Sequence, residues 1–221
     1  MDLVIRVCAA ESDIKEKIAE CFPDCAYELA GIDWDYRLTF VNVNEDLADE
    51  IICALNEIMY GDGENALAET LVKTSEELGI RLAVAESCTG GMIASAITDI
   101  AGASLVFYEG IVSYSNNSKF DRLGVSEETV ARKGAVSEDT AIEMAAGLIG
   151  PMVDIGISST GIAGPGGGSE AKPVGMVCIA VVSANHTDVY RNVFIGDRFT
   201  VRNKAKNCAL FYALKHIAKY Y

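Results

Sequence analysis

Arg81-Leu-Ala-Val-Ala-Glu-Ser-Cys-Thr-Gly-Gly91 is the stretch that decides how this chain folds. Its first five residues form a short apolar run of strand length, and the polar, glycine-rich remainder leads into an apolar-periodic segment. The pattern predicts a buried strand over 81–85 and a helix over 89–100. A strand that feeds a helix through a tight turn is the repeating unit of an α/β sheet, and sites in open α/β sheets lie at that edge. Working outward, 105–112 reads as a strand and 115–149 as two or three helices. Ser126 and Ser137 are expected N-caps, each followed by two acidic residues in the first turn. Ile155–Ser159 reads as a strand before a glycine-rich loop, 174–183 and 187–195 as a hairpin, and a long helix closes the chain from about Thr200. Upstream, Asn65 opens a helix with Leu67, Leu71, Thr74 and Leu78 on one side, ending at Gly79. Helices between strands predict a three-layer α/β/α sandwich.

Charge divides the chain. Of its 221 residues, the first 64 hold 16 acidic against 4 basic side chains, a net of −12, whereas the whole chain is at −14. The remainder is therefore nearly balanced at −2. The step predicts two domains, 1–62 and 63–221, joined at the turn signal Gly61-Asp-Gly-Glu64. The first reads as a small α+β layer. Leu3–Cys8 is strand-like, Ser12 is placed to cap a helix to about Cys21, 26–29 and 36–43 read as strands, and Asn44 caps a helix that puts Leu47, Ile51, Leu55 and Ile58 on one face. A nucleic-acid-binding fold of the KH type would need a GxxG loop and basic charge. With a single glycine before residue 61 and a net of −12, no nucleic-acid partner is expected, and the unit reads as a solvated spacer or docking domain.

Half of the residues are hydrophobic and 23% are charged, enough to bury a sizeable core. No apolar run reaches the roughly 18 residues of a membrane span, and the first residues lack a signal-peptide pattern, so a cytoplasmic protein with no membrane partner is expected. Seven cysteines without a C-x-x-C spacing read as free thiols rather than a metal cluster. The chain has only two histidines, His186 in a hairpin turn and His216 in the last helix, where a cation would suit the helix end. Proton transfer is then expected from other groups.

Four segments carry candidate chemistry. Ala85–Gly91 offers Ser87, Cys88 and Thr89 at a strand-to-helix turn, with Gly90 and Gly91 allowing a ligand close to helix N–H groups; the plainer reading is an ordinary cap. Tyr114-Ser-Asn-Asn-Ser-Lys119 pairs a phenol with an amine, and burial can bring a lysine towards neutrality as a general base; a surface lysine after a turn is the plainer alternative. Ser158–Gly168 has five glycines within eight residues (161, 164, 166, 167 and 168), followed by Lys172-Pro-Val-Gly175. It fits neither a Walker A loop nor a dinucleotide fingerprint, and is either an ordered ligand loop or a flexible surface loop. Gly196-Asp-Arg198 with Arg202 could hold a phosphate, or could equally be a cap and surface charges.

Together and in this order, these segments, with Gly134-Ala-Val-Ser-Glu138, resemble the CinA C-terminal domain family over about residues 65–221, and residues 1–60 look like the KH-like linker that precedes that domain. The resemblance implies an amidohydrolase that converts nicotinamide mononucleotide (NMN) to nicotinate mononucleotide and ammonia, without metal or other cofactor, and a homodimer. It implies Ser87 as nucleophile with Tyr114 and Lys119 as partners, and substrate binding by Thr160 and the glycine loop, including Gly161 and Gly164. Thr89 and Gly90 are the expected oxyanion donors, and Arg198 or Arg202 the expected phosphate ligand. Cys88 is the rival nucleophile. The alternatives are a nucleotide- or phosphate-binding module without catalysis, and a protein-interaction module docking through its acidic unit.

Overall fold

The computed structural model describes residues 1–221 and divides into two compact units, Met1–Thr70 and Leu71–Tyr221. In the first unit, β1 (Leu3–Val7), β2 (Tyr27–Ile32), β3 (Asp35–Phe40) and β4 (Met59–Asp62) form an antiparallel sheet in the order β2-β3-β1-β4. Period-two burial of Leu3, Ile5 and Val7 gives the sheet one apolar face. Helices α1 (Glu11–Cys21) and α2 (Glu45–Leu55) contribute Ile14, Ile18, Ile51 and Leu55 to the same core.

Three local expectations change here. Ser12 does not cap α1: Ala10 takes that position without a side-chain bond, its carbonyl accepts from Asp13 and Ile14, and the Ser12 hydroxyl turns to Asp13. The strand expected to reach Val43 stops at Phe40, because Asn42 turns into the left-handed region (φ 57°) and its N–H donates to Asp2. Asn44 does cap α2 through Leu47 N–H, but α2 ends at Leu55, so Ile58 packs on the core from the turn that follows.

In the second unit α3 (Leu67–Leu78), which begins before its boundary, leads to β5 (Leu82–Glu86) and α4 (Met92–Thr98). A 3₁₀ turn at Ala103–Leu105 precedes β6 (Phe107–Val112). Helices α5 (Asn116–Leu123), α6 (Glu127–Lys133) and α7 (Glu138–Ala146) come next, then β7 (Ile155–Gly161), the hairpin β8 (Met176–Ser183) and β9 (Thr187–Val193), and α8 (Arg198–Tyr220). The sheet order is β6-β5-β7-β8-β9, with β5 parallel to both neighbours and β7, β8 and β9 antiparallel. α7 packs on β7 and β8 and carries α5 and α6. α8 packs on β7, β8 and α4, which itself packs on β5 and β6. All residues of β5 and β8 are buried, as central strands covered by helices require. The α/β architecture is thus as the sequence indicates. Ser126 and Ser137 cap α6 and α7.

The helix expected from Thr89 starts only at Met92, since Gly90 (φ 60°) and Gly91 (φ 96°) are left-handed and hold the preceding loop out of the helix. The strand expected from Leu105 starts at Phe107 after the 3₁₀ turn, and α8 starts at Arg198 because Asp197 caps it through Thr200 N–H. In α3 the buried residue of the last turns is Ser75, while Leu78 is 50% exposed.

His216 is not a charge at a helix end. It is fully buried, with Nδ1 2.6 Å from Asp188 Oδ2 and Nε2 3.0 Å from Ser183 Oγ. The connectivity is that of a serine–histidine–aspartate triad, yet Ser183 is only 5% exposed, so its hydroxyl is closed to a substrate carbonyl. The chain of bonds instead clasps α8 to the β8–β9 hairpin, with Lys219 and Tyr220 also on Asp188 and His186 stacked on Tyr220. Burial lowers the His216 pKa. The unfolded imidazole therefore takes its proton first, and the clasp's contribution, present above about pH 6.5, is lost as pH falls towards the lowered folded value. The melting temperature of the native protein should therefore fall towards that of His216→Gln between pH 7 and 5, by ~2–4 °C; thermal melts of both across that range check this.

Candidate active site

The parallel strands β5 and β7 end side by side, and the loops that leave them form the site. Ser87 follows β5 directly, and its N–H donates to Ser159 O on β7 (2.9 Å), anchoring it to the sheet edge. Lys119 sits in the first turns of α5, which starts at the Ser115 cap. Its side chain is 1% exposed and donates to Ser87 Oγ (3.0 Å) and to Ser113 O (2.8 Å). Burial lowers its pKa below that of an ordinary lysine, against a small opposing effect of Cys88. A hydroxyl and a buried amine at hydrogen-bond distance form the kind of pair that can serve acyl transfer as nucleophile and base.

Cys88 is the weaker candidate nucleophile. Its thiol is buried, and burial pushes its pKa up to about 12, despite the nearby Arg202. The thiolate needed for attack is therefore rare at neutral pH.

The cleft beside Ser87 measures about 240 Å³ and is lined by Ser87, Cys88, Tyr114, Asn116, Lys119, Ala135, Val136, Thr160, Gly161, Ala163 and Arg198. No carboxylate is among them, and Arg198 supplies a cationic side chain, so the cleft suits an anionic ligand. Thr160 and Gly161 bring β7 into the wall; Thr160 is itself tied down, its hydroxyl donating to Ala135 O (2.7 Å). A side chain at Gly161 would strike Val177 and Met176 at 2.7–2.8 Å, so the glycine lets β8 close against β7 here.

Tyr114 is 63% exposed at the rim, and its hydroxyl accepts from Arg198 Nη2 (3.1 Å). Arg198 Nη1 donates to Gly164 O (2.9 Å), which joins the glycine loop, Tyr114 and α8 at the cleft mouth. Gly164 does not itself line the cleft; its carbonyl holds Arg198 at the mouth. Thr89 is fully buried with Oγ1 2.6 Å from Ser159 Oγ, and Gly90 lies beside Arg202, so neither lines the cleft. Arg202 also stands off it, donating from Nε to Cys88 O (2.9 Å) and from Nη2 to Thr89 O (2.7 Å).

Two contributors escape a reading of the sequence. Glu86, fully buried at the end of β5, accepts from the N–H groups of Gly91, Ile93 and Ala94 at 2.9–3.0 Å. The helix N-terminus that looked open to an anion is therefore filled by a side chain of the chain itself. Lys172 bridges the carbonyls of Lys133 and Val136 and so holds the wall at Ala135. An acid next to Ser87 and a lysine after five glycines were visible signals, but in both cases only the fold shows which backbone groups they meet.

The family model of the CinA C-terminal domain matches residues 64–217. A CinA-like protein of Kosmotoga olearia is 45% identical over 79% of this chain and 44% of its own length, and one of Fusobacterium nucleatum 44% identical over 75% and 41%. The chain thus spans about half the length of the curated relatives it matches. Among solved structures, the competence/damage inducible protein CihA from Agrobacterium tumefaciens superposes with a TM-score of 0.65 at 41% identity, over 67% of this chain and 93% of that one. The competence damage-inducible protein A from Klebsiella pneumoniae gives 0.68 at 35%, over 70% and 97%. The β5–Ser87–α4 turn and the α5 lysine lie within the matched span, and the chain belongs to the CinA C-terminal domain family.

Proposed function

We propose that the site hydrolyses the carboxamide of NMN, giving nicotinate mononucleotide and ammonia. The observation that carries the reading is the buried Lys119 amine within hydrogen-bond distance of Ser87 in a cleft without carboxylates. That pair supports amide hydrolysis; the family resemblance supports NMN as the amide.

Neutral Lys119 takes the Ser87 proton as Oγ bonds to the carboxamide carbon. The resulting oxyanion accepts from the Cys88 N–H, the backbone donor of the cleft residue that follows Ser87. Such a donor is worth roughly 3 kcal/mol in the transition state. The C–N bond then breaks, and Lys119 passes its proton to the departing nitrogen, which leaves as ammonia. Water, deprotonated by the same amine, cleaves the acyl-serine, and the proton returns to Ser87 Oγ. Tyr114, on Arg198 rather than on Lys119, steadies the guanidinium at the mouth.

Arg198 is the phosphate ligand in this reading. Its loss removes a charge-assisted contact of about 1.5–3 kcal/mol, equivalent to roughly 10- to 100-fold in KM. Arg198→Ala is expected to raise KM for NMN by that factor and to leave turnover of nicotinamide riboside, which lacks the phosphate, within about 3-fold of native. Ammonia release from the two substrates measures both. Equal effects on both would place the phosphate elsewhere, and release from neither by the native protein would leave a binding module.

A further inference from the structure

We infer that Arg202 is a positioning residue for the nucleophile loop, and not a ligand of the substrate phosphate. The inference rests on the amide-hydrolysis reading of the Ser87 site.

Arg202 lies one turn beyond Arg198 on α8, so the two leave the same helix face. They then part. Arg198 lines the cleft, whereas Arg202 does not. Arg202 commits two of its donors to consecutive carbonyls, Cys88 O and Thr89 O, at 2.9 and 2.7 Å. Arginine's fork is rigid, so a two-point grip on successive carbonyls fixes two peptide planes together.

Those planes belong to the loop that most needs fixing. Ser87–Gly91 precedes α4 and contains two left-handed glycines, Gly90 and Gly91, whose backbone freedom is the largest of any residue. The loop is held at its start by Ser87 N–H on Ser159 O and at its end by Glu86 on the N–H groups of Gly91, Ile93 and Ala94. Between them the Thr89 hydroxyl bonds Ser159 Oγ (2.6 Å), and Arg202 is the grip on the peptide planes themselves. It also draws the carbonyls towards α8. Released, those carbonyls could rotate towards the cleft, where their negative ends would oppose the oxyanion formed at Ser87. Gly90 fits the same picture: an added Cβ would lie 3.1 Å from Arg202 Nη2, so the bare backbone lets the guanidinium approach.

A phosphate ligand and a loop clamp give different kinetics. A misplacement of about 1 Å at the reacting atoms can cost roughly 100-fold in rate. Arg202→Ala is therefore expected to lower kcat for NMN by about that factor with KM within about 3-fold of native, and guanidinium added to the assay should restore part of kcat. Arg202→Lys keeps the charge but loses the fork, and should also lose kcat rather than KM. A raised KM with native kcat in both variants, or a Lys variant that behaves as native, would overturn the inference. Arg202→Lys also covers the case in which the Ala variant does not fold. If the native protein shows no NMN turnover, the functional reading fails separately, and the rate of Ser87 labelling by a fluorophosphonate then decides on Arg202 alone. Slower labelling in the variants supports the clamp, and native rates contradict it.

Discussion

Ser87→Ala is expected to reduce kcat for NMN by at least about 10⁴-fold while leaving the thermal melt within about 2 °C of native, because it removes the proposed nucleophile and little packing. Lys119→Met should match it. The two act as one unit through the 3.0 Å contact, so the double variant should be no worse than either single one. Cys88→Ala should retain activity within a few-fold, as expected of a thiol pushed up to about 12 by burial. The pH dependence has a fixed sign. Lys119 must be neutral to accept a proton, and burial lowers its pKa, so kcat/KM should rise with pH and level off below the ordinary lysine value of about 10.4. Steady-state kinetics from pH 6 to 10 on the native protein and Cys88→Ala read this. Loss of activity in Cys88→Ala with retention in Ser87→Ala would reverse the assignment.

The second large effect concerns stability. Glu86 is fully buried and its two oxygens take three N–H groups at the start of α4. Glu86→Ala would leave those donors without partners and open a cavity behind the nucleophile loop. The cost is about 1–3 kcal/mol for each donor left buried without a partner, a fall in melting temperature of roughly 10 °C. Glu86→Gln turns an amide N–H₂ towards N–H donors, and should lie between Ala and native. Calorimetry on the three proteins checks the order. Because the same residue anchors the loop carrying Ser87, kcat should fall with stability. A Glu86→Ala protein with native stability would show that α4 does not depend on this bond set.

What the sequence makes legible, and what it does not, follows physical lines. The alternation of buried strands with amphipathic helices is local and strong, so the sandwich order is readable from Arg81 onward. Caps followed by two acidic residues are read from adjacent positions, and Ser126, Ser137 and Asn44 cap as expected. Ser12 does not, because Ala9 and Ala10 allow the helix to begin earlier and nothing in the local pattern forbids it. Ser87 and Lys119 are recognisable as chemistry-bearing residues, but their meeting depends on β5, β6 and α5 together.

The remaining differences come from long-range hydrogen bonding. Arg202 and Glu86 act on backbone groups, which every residue carries and no motif marks. The sequence pattern puts Thr89 at a helix start, yet two left-handed glycines delay the helix, and the threonine is buried against Ser159. Tyr114 sits near Lys119 in sequence, but its hydroxyl goes to α8. The charge asymmetry has become specific as well. The −12 lies within the first 64 residues, while the cleft in the second unit has no carboxylate in its lining.

One measurement tests the central claim most directly: ammonia and nicotinate mononucleotide formed from NMN by the well-folded native protein, with Ser87→Ala as the blank. The expected result is one ammonia and one nicotinate mononucleotide per NMN consumed, with the blank at background. Native protein releasing no more ammonia than the Ser87→Ala blank would contradict it.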